Sequence, residues 1–173
     1  MRHANMIRLK LGFVALALAL SLSPHAQEAD FQDKLLDRFT GRWILTGTIA
    51  GDDVVHSIDA QWVLGHHYLR FDESTERGEI GYEATVIIGW DEPTDRYVCL
   101  WLDSTGGSGL SNGILGYAEK SENELAFVFS GDTSRFHTTF SYDRSNDTWY
   151  WTMDSEKEEG QFQPFARLTM KRK

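Results

Sequence analysis

The feature that most constrains this chain is an alternation of apolar and polar residues that restarts ten times between turn-forming clusters. Successive side chains of a strand point to opposite faces, so this period marks strands with one buried face. GRWILTGTI predicts a first strand near 42–50, turned by GDD. VVHSIDAQWVL predicts a second near 53–63, with Val54, His56, Ile58, Ala60 and Trp62 on one face. HHYLRFDE predicts a third, with His67, Leu69 and Phe71 on one side. YEATVIIGW predicts a fourth near 80–90, with Tyr82, Ala84, Val86, Ile88 and Trp90 sharing a face. DEPTD turns the chain into RYVCLWLD. Beyond the Gly/Ser-rich STGGSGLSNG come GILGYAE, ELAFVFSG, RFHTTFSYD, TWYWTMDS and GQFQPFARLTMKRK. Helical spacing occurs once, at Phe31, Leu35, Leu36 and Phe39, and predicts a short helix over about 30–39 with Asp30 as its N-cap.

Ten short strands at near-regular spacing predict an all-β, antiparallel meander. A meander of this size removes its exposed edges by closing into a barrel, and a barrel of eight to ten strands is wide enough to hold a ligand. The 173 residues carry one such set, with no repeat or linker, so residues 27–173 read as a single domain. A net charge of −9 argues against nucleic-acid binding, which needs clustered Lys and Arg. One cysteine excludes a disulfide framework and a thiolate zinc cluster. Cys99, within YVCLW, reads as a buried small hydrophobe.

Residues 1–26 read differently from the rest. Arg2, Arg8 and Lys10 precede an apolar run from Leu11 to Leu22, and small residues with a proline lead to Ala26. This is the pattern of a secretory signal peptide, too short to span a bilayer comfortably. The expectation is an exported, periplasmic or secreted protein that does not stay inserted in a membrane after cleavage.

The candidate chemistry is sparse. His56 and His67 are placed to share the interior, because the second and third strands pair. Metal-ligand spacings such as His-x-His are absent, so no metal is assigned. Glu83 falls on the parity opposite Tyr82, Val86 and Ile88 and reads as solvent-facing, and Asp103 reads as a loop cap at a barrel rim. Neither a Gly-x-Ser-x-Gly elbow nor a phosphate-cradling loop occurs. Aromatic residues are the densest signal, Trp149, Tyr150 and Trp151 being consecutive. They read either as a filled core or as the lining of a cavity for an apolar or amphipathic molecule. Such a cavity would bury the ligand against Trp62, Leu69, Phe71, Val86, Ile88 and Trp101, with His56, His67 or a tyrosine orienting its polar end. The alternatives are an acid–base enzyme of isomerase or hydro-lyase type, and a structural or partner-binding barrel with a solid core.

Four stretches carry a family likeness: Phe39-Thr40-Gly41-Arg42-Trp43, Trp62 to Leu69, Ile88-Gly89-Trp90-Asp91, and Trp101 to Gly106. The first resembles the Gly-x-Trp motif of lipocalins and their calycin relatives. Together, over about 35–173, the four resemble an uncharacterised bacterial family of secreted, lipocalin-like barrels, a domain-of-unknown-function family of the 1579 type. The resemblance implies a calycin-like barrel and no activity. It also implies closure of one barrel end by Gly41 and Trp43, with a basic residue of the last strand, here Arg172, over the indole. A more distant similarity is to the ten-stranded nitrobindin type of barrel, which binds haem. No histidine here matches its haem ligand, so no cofactor is assigned and haem stays a sub-case of ligand binding.

Overall fold

The computed structural model describes residues 32–76, 81–106, 110, 114–131 and 134–173. Its strands are β1 (Gly41–Ile49), β2 (Asp52–Val63), β3 (Tyr68–Thr75), β4 (Glu83–Asp91), β5 (Arg96–Asp103), β6 (Leu115–Ala118), β7 (Glu124–Ser130), β8 (Arg135–Asp143), β9 (Thr148–Glu158) and β10 (Gln161–Arg172). Each pairs antiparallel with its sequence neighbours, and β10 returns to pair with β1, so the sheet is a closed ten-stranded barrel. Burial alternates along the strands: in β2, His56, Ile58 and Ala60 are buried while Asp59 and Gln61 are exposed. The alternation seen in the sequence is therefore the inside–outside pattern of the barrel wall.

An up-and-down meander places alternate connections at opposite ends. One end carries the turns at 64–67, 92–95 and 144–147 together with a four-residue helix, α1 (Lys34–Asp37). The other carries the 50–51 and 159–160 turns and the β3–β4, β5–β6 and β7–β8 connections. These are called the helix end and the loop end below.

The helix is shorter than the 30–39 segment read from the sequence, and Asp33 caps it. Its Oδ1 accepts from the backbone N–H groups of Leu35 and Leu36 at 2.8 and 2.9 Å, and its Oδ2 accepts from the Tyr97 hydroxyl at 2.5 Å. One buried carboxylate thus serves as N-cap and ties α1 to β5. Asp30 and the 1–26 segment lie outside the described residues.

Closure at the helix end is built from aromatic rings. Phe39 stacks on Trp149 with centroids 3.8 Å apart, and the Trp43 indole N–H donates to the Phe39 carbonyl at 2.6 Å. The Arg172 guanidinium lies 3.9 Å above the Trp43 ring, donates to the carbonyls of Arg38 and Thr40, and pairs with Asp147 at 2.9 Å. Gly41 sits beneath it at φ +113°, where a Cβ would come within 2.6 Å of the guanidinium. Gly47, at φ +145°, lets β1 approach β10 so closely that a Cβ there would lie 2.1 Å from the Arg167 carbonyl oxygen.

From this floor a column of rings runs up the barrel. Phe39 meets Phe140 at 5.2 Å, Phe140 meets Trp151 at 4.7 Å, and Trp151 meets Trp101 at 5.5 Å. Leu69, Phe71, Val86 and Ile88 pack around the column with no exposed surface. Cys99 is buried in the same core, which raises its thiol pKa and keeps it un-ionised.

Candidate functional site

The polar residues of inward parity gather at the loop end. His56 of β2 and Glu73 of β3 are diagonal neighbours, because Ile58 stands opposite Glu73 and Thr75 opposite His56. His56 Nδ1 lies 2.5 Å from Glu73 Oε1, and both side chains are almost fully buried. The Tyr82 ring stacks on the imidazole at 5.7 Å. Trp101 and Asp103, at the end of β5, flank the Tyr82 phenol within hydrogen-bonding reach. The second carboxylate oxygen of Glu73 is buried and has no hydrogen-bond partner. A buried acceptor without a donor is costly and calls for an explanation.

Electrostatics follow from this crowding. Burial pushes the Glu73 carboxyl above the ordinary carboxylate range, against the pull of its hydrogen bond to His56, and the nearby charge of Asp103 adds to the rise. Burial, then the charges of Glu73 and Asp103, also raises the Tyr82 phenol, which stays neutral at physiological pH. Asp103 accepts from the Thr105 backbone N–H at 2.9 Å and from its hydroxyl.

The two walls of the loop end differ in character. Around the barrel, β2, β3, β4 and β5 are contiguous; they carry His56, Glu73 and Asp103, and Tyr82 immediately precedes β4. Ile49 of β1 stands next to β2, and the opposite wall presents Phe129 of β7, Phe136 of β8 and Met153 of β9, with Thr138 and Ser155 between them. A register shift between Pro164 and Ala166 sets Phe165 beside it, edge-on to Phe136 at 5.5 Å and partly exposed. The bottom is the exposed side of the ring column at Trp101. The loop end is thus a polar arc facing an apolar one.

A depression of about 650 Å³ lies on the outer face of β1–β5. Its side chains of outward parity satisfy one another: Ser57 bonds Ser74 at 3.1 Å, Thr85 donates to Asp72 at 2.9 Å, and Lys173 pairs with Glu76. It is open, and Glu73 and Asp103 border it from the inner side of the wall, where the unpartnered Glu73 oxygen is buried.

The expected site residues divide between these places. His56 and Trp101 are in the loop-end cluster. Leu69, Phe71, Val86 and Ile88 face inward, but lower down, with all their surface covered by other side chains. Trp62 is at the helix end, stacked on His66 at 4.2 Å and donating to Asp37 at 2.9 Å. His67 is a correction. The third strand starts at Tyr68, and His67 sits exposed in the 64–67 turn. The Leu64-Gly65-His66 run takes positive φ and turns the chain there, so His67 cannot share the interior with His56. Glu73 and Tyr82 were not among the expected site residues. The signal for Glu73 is its parity, since it continues the Leu69–Phe71 face of β3 as a lone acid.

A search of the curated proteins finds no match to this chain. The model of the family described as protein of unknown function (DUF1579) matches residues 29–172, which spans α1 and all ten strands of the barrel, and the chain belongs to that family.

Proposed function

We propose that the loop end of this barrel binds a small amphipathic molecule, its apolar part against Ile49, Phe136 and Phe165 and its polar end against the Glu73 arc. The observation that carries this reading is the buried, unpartnered Glu73 oxygen on a polar wall that faces an apolar one. Sites for small molecules are mostly apolar, with a few convergent polar groups that fix orientation. The ligand sits above Trp101 rather than deep in the barrel, because the ring column fills the lower part. The calycin likeness of the barrel and the Arg172–Trp43 contact are in keeping with a carrier. Residues 1–26 carry the signal-peptide pattern, so the setting we propose is the periplasm or the cell exterior.

The test is a titration with N-phenyl-1-naphthylamine, an apolar dye whose emission rises when it leaves water. Emission should rise with the wild type. It should fall by about tenfold in apparent affinity with Phe136→Asp, which places a charge on the apolar wall. Leu64→Asp, at the helix end, should bind as the wild type does. An absence of enhancement, or equal binding by both variants, would count against the reading.

The His56–Glu73 pair beside a neutral phenol also suits acid–base chemistry, the second reading. It requires turnover that Glu73→Gln abolishes while dye binding persists.

A further inference from the structure

The polar arc of the loop end has a definite chemical preference. Among the described residues its acceptors are the free oxygen of Glu73 and the carboxylate of Asp103, and the neutral Tyr82 hydroxyl lies between Asp103 and the Trp101 indole N–H within hydrogen-bonding reach of both. His56 is its only basic group, and its Nδ1 is committed to the other oxygen of Glu73. The remaining residues of inward parity on these strands at this end are Asp52, Val54, Thr75, Ala84 and Trp101, none of them cationic. The charge of Asp103 acts on both Glu73 and Tyr82, so the two carboxylates are close enough to repel.

From this arrangement we infer that the amphipathic ligand carries an ammonium head, held by the free oxygen of Glu73 with Asp103 as its second acceptor. The inference rests on the loop-end binding reading and names its ligand class. An alkylammonium supplies the N–H donor that the buried oxygen lacks, and its charge relieves the carboxylate repulsion. Its alkyl chain lies across the gap onto Phe136 and Phe165, which are edge-on to each other on the apolar wall. Trp101 stands at the boundary, where a cation also gains from an indole face. An anionic head would meet two carboxylates. A neutral alcohol would satisfy the oxygen without relieving the charge.

Three probes of equal chain length separate these heads: n-octylamine, 1-octanol and octanoate, titrated into the protein by calorimetry at neutral pH. Octylamine should bind at least about tenfold more tightly than octanol, with octanoate weakest. Glu73→Gln should weaken octylamine by about tenfold or more and leave octanol nearly unchanged. Asp103→Asn should weaken octylamine too, and it decides the matter where the Gln variant fails to fold. Glu83→Gln removes an acid from the exposed outer face and should change nothing, which separates the site from general attraction to an acidic surface. Tightest binding of octanoate, or equal binding of all three, overturns the ammonium head and leaves the amphipathic site standing. No binding by any probe, with no dye enhancement either, overturns both.

Discussion

Glu73 is the residue whose behaviour the structure constrains most. Its ordinary pKa is 4.5, and burial raises it in the fold. The folded protein therefore holds the Glu73 proton more tightly than the unfolded chain does. That contribution to stability is fully present below pH 4.5 and is lost as pH rises from 4.5 through the folded value. Glu73→Gln keeps the shape and removes the titration. The unfolding free energy of the wild type minus that of the variant should accordingly fall as pH is raised above 4.5, then level off. Denaturant melts of both proteins across that range measure it, and a flat difference would mean that Glu73 is not held as described. The same residue shows where a sequence is legible and where it is not. Its inward parity can be read from Leu69 and Phe71. Its pairing with His56 cannot, because that depends on the hairpin register, which the turn at 64–67 sets. His67 shows the opposite failure. It keeps inward parity on paper, but positive φ at Leu64, Gly65 and His66 ends the strand pattern before it. Nothing in the alternation marks where a turn begins.

At the scale of the element, the strands were legible because burial on one side forces a strict period of two. The helix was legible as a helix and misread in length. Leu35, Leu36 and Phe39 face the core as the helical spacing requires, yet among the described residues of this segment only Lys34–Asp37 is helical. Asp33, a capping residue type three positions from Asp30, takes the N-cap because Tyr97 lies within reach of its second oxygen. That contact spans 64 residues and has no local sequence signature. The β1–β10 seam supplies a prediction at this scale. Gly47 and Gly51 both have positive φ, so alanine is strained at each. Only Gly47 also faces the backbone of a neighbouring strand at 2.1 Å, whereas Gly51 has nothing within 4 Å. Gly47→Ala should cost about 3 kcal/mol or more, and Gly51→Ala about 1 kcal/mol. Chemical denaturation of the two variants checks this. Equal losses would mean that the close approach of β1 to β10 does not hold the seam.

The whole molecule divides into a sealed end and an end with a chemical polarity. The helix end is sealed by Trp43, Phe39, Trp149 and the Arg172 guanidinium. Aromatic rings continue upward to Trp101 and leave the loop end as the place where polar and apolar walls face each other. Barrel closure was legible from the number and spacing of the strands. How far the rings fill the barrel was not, since it depends on side-chain size summed over ten strands and on which aromatic meets which. Of the residues listed from Trp62 to Trp101, Leu69, Phe71, Val86 and Ile88 face inward and are wholly covered by other side chains, and the buried polar cluster at the loop end is formed by residues far apart in the chain.

The most direct test of amphipathic binding at the loop end is the intact mass of the native protein, purified without detergent from the cells that make it. The wild type should carry excess mass that is shed on denaturation and is absent or much reduced in the Glu73→Gln variant. A clean polypeptide mass in the wild type, or an excess that the variant retains in full, would contradict it.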